Sequence, residues 1–280
     1  MSQITLEPGQ VSQLSPLVRR IVAPNPSVMT GPGTNTYLVG TDEVAVIDPG
    51  PADASHIEAI LRAGGDKIRW ILVTHTHTDH SPGVAPLLEA INAETWGQAA
   101  PDAHYQDLTF KPDHSLAHGD VLKTHEFSIR AVHTPGHVEN HFCFLVEPEG
   151  MLMTGDHIMS GSTVVIIPPS GDMKDYLDSL QALHGLPLRH LAPGHGELID
   201  DPYGEIDRII AHRLKREEKV VAALIKSGGG DLDDLVSVAY DDTPASLHHM
   251  ARYSLHAHLD KLVRDGRASV ADNRWWLNGE

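Results

Sequence analysis

The chain has 280 residues, with 38 Asp and Glu against 21 Lys and Arg, 20 histidines and a formal charge of −17. This length suggests one large domain, or a large domain with a small appendage, and the negative charge disfavours nucleic acid and anionic lipid surfaces as partners. A lone cysteine, Cys143, excludes an internal disulfide. Because no signal peptide and no apolar run of ~18 residues is visible, we expect a soluble, cytoplasmic protein without a membrane partner.

The segment 1–204 alternates short β-rich runs with helical stretches. Strands are predicted over 34–40, 43–50, 68–75, 127–137, 141–150, 150–156 and 189–196. Helices are predicted over 53–65, 81–91 and 173–186. Strands mixed with helices indicate an α/β or α+β domain whose helices cover its sheets.

The segment 205–280 has a different, helical pattern. Apolar stripes predict helices over 205–228, 232–240 and 244–266, and 268–278 is typical of two short strands around an Asp-Asn turn. Three helices followed by a β-ribbon indicate a small winged-helix-like domain. Segment 1–204 holds 10 Lys and Arg against 25 Asp and Glu, so its balance is −15 and nearly all the negative charge belongs to it.

The sequence over 71–83, ILVTHTHTDHSPG, joins an apolar strand to a cluster of potential metal ligands. In extended backbone every second side chain points the same way, so His75, His77 and Asp79 can converge. A bend at the start of the next helix can bring His80 beside Asp79. Imidazole nitrogen and carboxylate oxygen are ligands that Zn²⁺ accepts. A solvated polar loop is the alternative, which the density of these residues disfavours.

Three more ligand-type side chains stand at predicted strand ends. His137 follows a Pro-Gly turn, Asp156 follows an apolar strand and a glycine, and His195 follows a second Pro-Gly turn. Each lies where a strand stops and the backbone turns, which is where a rigid scaffold can present a side chain accurately.

The HTHTDH motif, followed by a single His, Asp and His at growing intervals, resembles the metallo-β-lactamase fold superfamily. The resemblance implies an α+β fold, a four-layer αββα sandwich, with two metal ions between its sheets. The implied ligands are His75, His77 and His137 for the first metal, Asp79, His80 and His195 for the second, and Asp156 as a bridge. Asp156 stands where many lactamases of the family have cysteine, which argues against an enzyme specialised for β-lactams.

A narrower resemblance covers 23–40, 134–141, 154–159, 192–199 and 212–225, together with the winged-helix-like tail. These segments are similar to the lactamase-β-like branch, which includes single-strand-specific endoribonucleases and many bacterial hydrolases. The branch implies that Asn35 lies near the active-site rim. It also implies that Asp48 supports the ligand loop through hydrogen bonds. His141 and His157 flank two ligand loops, and we expect them beside the ligands or at the substrate rim.

These observations predict a hydrolase with two Zn²⁺ per chain, manganese or iron being the alternatives that the same ligands accept. A hydroxide bridging the metals would attack a carbonyl or a phosphorus, with Asp79 as the catalytic residue that orients it. A small ester, thioester or lactone is favoured as substrate by the acidic charge and by the apolar segment 164–170, which follows Asp156.

Two other functions stay open. The branch resemblance implies cleavage of single-stranded RNA, although the tail offers only a modest basic footprint. A nucleic-acid-binding regulator with a vestigial site is disfavoured, because 244–262 offers only Arg252 and Lys261 for reading bases. The tail is better suited to cap the active site or to join two chains in a homo-oligomer.

Overall fold

The structure is a computed structural model that describes residues 6–101 and 105–279. It forms two compact units. The first contains the residues up to Thr134 with 140–164 and 186–202, and the second contains 135–139, 165–185 and the residues from Tyr203 onward. The sequence predicts one boundary after residue 204, whereas the chain passes between the units several times.

Two sheets build the first unit. In spatial order, the first sheet contains β1 (Val11–Gln13), β2 (Val18–Val22), β3 (Asn35–Val39), β4 (Val44–Ile47), β5 (Ile68–Leu72), β6 (Glu94–Gly97) and β7 (His114–Ser115). The second contains β8 (Val121–Lys123), β9 (Ser128–His133), β10 (Phe142–Val146), β11 (Met151–Gly155) and β12 (His190–Pro193). Pairing is antiparallel from β1 to β4 and from β8 to β11, and parallel elsewhere.

Alternation along the strands separates two hydrophobic layers. In β3, Tyr37 and Val39 join the core between the sheets, while Leu38 faces the opposite way. Leu38 packs with the apolar faces of helices α1 (Ala54–Gly64) and α2 (Val84–Ala90). The predicted α+β class, with stacked sheets and covering helices, is confirmed.

The second unit contains four helices and a ribbon. These elements are α3 (Met173–Ala182), α4 (Pro202–Ser227), α5 (Leu232–Ala239), α6 (His248–Arg264), β13 (Ala268–Ala271) and β14 (Arg274–Leu277). Helices α4, α5 and α6 share one core with Trp275 of the ribbon. Asp272 and Asn273 have φ of 49° and 57°, as a tight hairpin turn requires. Within the described residues, no helix is both long and apolar enough to span a bilayer.

Candidate metal centre

The first ligand pair follows the end of β5. Thr74 Oγ1 donates to Asp48 Oδ2 at 2.7 Å, so it is left to accept from Nδ1 of His75 at 3.1 Å. This network assigns the proton of His75 to Nδ1 and leaves Nε2 as a lone pair. That Nε2 lies 2.9 Å from Nδ1 of His77. The two imidazole nitrogens are therefore direct neighbours, as the alternation of extended backbone predicts.

A second group contains Asp79, His80 and His195, whose ligand atoms all lie within 4.8 Å of one another. Asp79 Oδ2 lies 3.6 Å from His80 Nε2 and 3.3 Å from His195 Nε2. Both histidines are buried, while Asp79 is about one-quarter exposed at 26%. The group thus has a buried floor and one carboxylate that solvent can reach.

Asp156, directly after β11, lies between the two groups. Its Oδ1 is 3.4 Å from His80 Nε2 and 3.3 Å from His195 Nε2. The same carboxyl group offers a ligand atom within 4.8 Å of the ligand atoms of His75 and His77. One carboxylate therefore faces both sets of nitrogens.

His75 Nε2 and His77 Nδ1 are at hydrogen-bond distance, 2.9 Å apart, whereas the contacts of Asp79 and Asp156 with the histidines of the second group are longer and suit ligand atoms around a metal ion. A hydrogen bond between nitrogen and oxygen spans roughly 2.7–3.2 Å. Ligand atoms at the corners of a zinc tetrahedron, each about 2.0–2.1 Å from the ion, are about 3.3 Å apart. The four nitrogen–oxygen distances in the second group and to Asp156 run from 3.3 to 3.6 Å. The donors present therefore fit a zinc-sized ion.

Two acceptors orient the buried histidines of the second group. Asp48 Oδ2 lies 2.9 Å from Nδ1 of His80, and Asp48 Oδ1 accepts from the Thr74 amide at 2.7 Å. The Gly33 carbonyl lies 3.2 Å from Nδ1 of His195. With its Nδ1 proton donated outward, each ring presents Nε2 to the site, the usual arrangement around metal-binding histidines.

Carboxylates dominate the electrostatics of this group. Burial disfavours a charged His195, but Asp156 and Asp79 outweigh it and raise its pKa to about 9. Burial also opposes protonation of His80, yet the surrounding carboxylates hold its pKa well above the ordinary value. Burial and the neighbouring His80 and His77 hold the pKa of His75 well below its ordinary value. Protons therefore occupy the places that a cation would take, and metal binding must release them.

Three residues expected beside the ligands or at the rim are buried. Asn35 is fully buried, and its Nδ2 donates to the carbonyls of Pro193 and Gly196 at 2.8 and 2.9 Å, in the turn that carries His195. His141 is fully buried, with Nδ1 2.9 Å from Thr134 Oγ1 and its ring centroid 5.0 Å from that of His75.

The ring of His157 is also fully buried, and its centroid lies 5.9 Å from that of His141. The His141 ring therefore lies next to that of His75, and the His157 ring lies next to that of His141. Neither has an exposed edge that could form a rim.

His137 lies in the turn 135–139, which belongs to the second unit. Its Nδ1 is 2.8 Å from the carbonyl oxygen of Val165. The turn is held to α3, because the Asp172 amide donates to the Gly136 carbonyl and Ser179 Oγ donates to the Pro135 carbonyl, both at 2.8 Å. The assignment of His137 to the first metal stays a prediction.

Arg20 and Tyr37 also contact the His195 turn, and sequence reasoning missed both. The Tyr37 hydroxyl donates to the Pro193 carbonyl at 2.7 Å, and Arg20 Nη1 donates to the Gly196 carbonyl at 3.2 Å. The sequence pattern could have indicated Arg20. Val18, Arg20 and Val22 lie on one face of a strand, so a charged residue stands on an otherwise apolar face.

The sandwich and the His/Asp centre define a metal-binding protein of the α+β class, and comparison with known proteins gives its family. Residues 29–195 match the model of the metallo-beta-lactamase superfamily, and 232–275 match the beta-lactamase associated winged helix domain. The protein belongs to the metallo-beta-lactamase superfamily and carries the associated winged-helix domain. Both predictions from the sequence are confirmed.

Relatives extend over most of the chain. A protein of Drosophila melanogaster named "Beta-lactamase-like protein 2 homolog" is 34% identical, covering 93% of this chain and 92% of its own. "Atrochrysone carboxyl ACP thioesterase dmxR1" of Cryptosporiopsis sp. (strain 8999) is 35% identical, covering 79% of this chain and 67% of its own. The crystal structure of a beta-lactamase domain protein from Burkholderia ambifaria is similar in fold, with a TM-score of 0.82, 22% identity, and coverage of 98% and 95%.

Proposed function

We propose that this protein is a dinuclear zinc hydrolase that cleaves a small acyl thioester. The observation that carries the dinuclear proposal is the position of the Asp156 carboxylate. It faces His80 and His195 on one side. On the other side, one of its oxygens lies within 4.8 Å of ring nitrogens of His75 and His77. A carboxylate that serves two sets of imidazoles is suited to bridge two cations.

The proposed ligands divide between the two positions. They are His75, His77 and His137 for the first metal, Asp79, His80 and His195 for the second, and Asp156 for both. When bound, such metals act as Lewis acids and activate water at neutral pH. The nitrogen and oxygen donors suit zinc, and manganese or iron are the alternatives for the same set.

Asp79 is the residue of the centre best placed to handle a proton. Burial opposes its ionisation, but His80 and His195 outweigh burial and lower the pKa of its carboxyl group. Asp79 is therefore a carboxylate at neutral pH, and its partial exposure lets water approach. It can orient an attacking water, accept its proton and return that proton to the leaving group.

A thioester is favoured over RNA by charge and by similarity. One relative is named as an ACP thioesterase and is 35% identical to this chain. A polyanion needs free cations, yet several basic side chains of helices α4 and α6 lie within 3 Å of carboxylates. These pairs are Arg216 with Asp242, Lys219 with Asp241, and Lys261 with Glu217.

The test is a hydrolysis screen on protein stripped with a chelator and then reloaded with zinc. Substrates are an acyl-N-acetylcysteamine thioester, an aryl ester, a lactone, a β-lactam and single-stranded RNA. We expect thioester turnover that disappears on stripping and returns with zinc, and that Asp156→Ala abolishes. Asp178→Ala, an exposed carboxylate paired with Lys174, is the matched control and should retain activity. Metal-dependent cleavage of RNA with an inert thioester would overturn the proposed substrate.

A further inference from the structure

The turn from Pro193 to Glu197 carries His195 and is tied to the first sheet by hydrogen bonds to its carbonyl groups. The Asn35 side chain donates to the carbonyls of Pro193 and Gly196, and the Asn35 amide donates to that of Gly194 at 2.7 Å. Tyr37 adds a second bond to the Pro193 carbonyl. These donors hold the backbone on both sides of His195.

Arg20, on β2, also donates to this turn, and it is charged, whereas the donors of Asn35 and Tyr37 are neutral. Its guanidinium is 1% exposed, and Nη1 donates to the Gly196 carbonyl at 3.2 Å while Nη2 lies 3.3 Å from Glu197 Oε2. A buried guanidinium is costly unless its donors are used. Nη1 and Nη2 both serve the turn, so a shift of the turn would stretch both contacts.

We infer that Arg20 is a positioning residue for the second metal, acting through the His195 turn; this inference rests on the proposed dinuclear function. The Nε2 of His195 lies 3.3 Å from both Asp79 Oδ2 and Asp156 Oδ1. Metal–ligand distances in a well-formed site lie within about ±0.2 Å of their usual values. A displacement of the Gly196 carbonyl by a few tenths of an ångström would shift the backbone beside His195 by a comparable amount.

Arg19 provides a matched control in the same strand. It points to the opposite face, where Nη1 donates to the Ala63 carbonyl at 2.7 Å and Nη2 to the Gly40 carbonyl at 2.9 Å. Like Arg20, it therefore binds backbone carbonyl groups, but these groups belong to segments that carry no proposed ligand. Comparing Arg19→Met with Arg20→Met therefore separates the effect of losing an arginine from this strand from the effect of losing the hydrogen bonds to the His195 turn.

The experiment titrates metal-free wild type, Arg20→Met and Arg19→Met with zinc against a competing chelator, and repeats the titration with Co²⁺ to record the visible spectrum. We expect Arg20→Met to bind one zinc ion as wild type does and the second about 10-fold or more weakly, the loss typical when the support of a metal ligand is removed. The cobalt spectrum should change only for the second equivalent. Arg19→Met should bind both ions as wild type does.

The outcomes are separable. Wild type that binds fewer than two zinc ions overturns the proposed dinuclear function. The role of Arg20 alone is overturned if wild type binds two zinc ions and folded Arg20→Met binds both ions with the same affinities as wild type. If Arg20→Met does not fold, Glu197→Ala decides, because Glu197 is half exposed and its removal frees Nη2 of Arg20. Weakening of the second zinc by about 3-fold or more supports the inference, and unchanged binding overturns it.

Discussion

Asp48→Asn is the sharpest test of how the chain prepares its metal ligands. The Asp48 carboxylate accepts from the Thr74 amide and hydroxyl, both at 2.7 Å, and faces Nδ1 of His80 at 2.9 Å. Asparagine has the same shape and tolerates the φ of 49° found here. It can still accept from the Thr74 amide, but its NH₂ group replaces the oxygen that serves the Thr74 hydroxyl and His80.

The expected loss follows from the bond to His80. A donor opposite Nδ1 favours the tautomer that carries its proton on Nε2, the atom that faces Asp79 and Asp156 at 3.6 and 3.4 Å. A hydrogen bond to a charged group contributes about 1.5–3 kcal/mol, which corresponds to about 10- to 100-fold in affinity. The same range is typical when the hydrogen-bond partner of a metal-binding histidine is removed.

The assay is zinc titration of the metal-free protein against a competing chelator. Asp48→Asn should bind the second zinc 10- to 100-fold more weakly than wild type. Asp53→Asn is the matched control: Asp53 caps α1 by accepting from the amides of Ser55 and His56, and asparagine caps a helix equally well. Wild-type affinity in folded Asp48→Asn would refute the argument that Asp48 sets the tautomer of His80.

Three further predictions concern pH and packing. The pKa of His195 is raised to about 9 and that of His80 is held well above its ordinary value in the metal-free site, so both protons must leave on binding. Zinc affinity should therefore rise about tenfold per pH unit for each proton released, or up to about 100-fold per unit, from pH 7 towards 9; a flat titration series contradicts this. Gly155 has φ of 47°, and an added Cβ would lie 2.6 Å from Thr74 Oγ1, so Gly155→Ala should lower the free energy of unfolding by on the order of 1–3 kcal/mol in urea denaturation. Burial, followed by Arg213 and Lys261, holds the pKa of His258 well below its ordinary value. The unfolded chain therefore takes up a proton below about pH 6.5 that the folded unit refuses, and stability should fall there by up to about 1.4 kcal/mol per pH unit, a slope that His258→Leu should reduce.

Residue spacing predicted the local part of the metal centre. His75, His77 and Asp79 alternate along extended backbone, and Asp156 and His195 each follow the end of a strand. These are local features that the spacing of residues in the sequence can show. The structure brings the ligand atoms of these five residues into the two neighbouring groups described above. The fold class was predictable for the same reason.

The support of the centre was not predictable in this way. Strand β2 has the sequence VRRIV, and its two arginines interrupt the apolar pattern by which a strand is predicted. Asn35 and Arg20 bind a turn more than 150 residues away in the chain, and no local pattern encodes that pairing. The grouping of 135–139 and 165–185 with the C-terminal helices likewise depends on contacts between distant segments.

The most direct test of the central claim is the number of zinc ions that remain bound per chain after zinc loading and removal of loose metal, measured by elemental analysis. Asp156 facing both groups of imidazoles predicts two ions in wild type. A folded wild-type chain that retains one zinc ion, or none, would contradict the dinuclear centre.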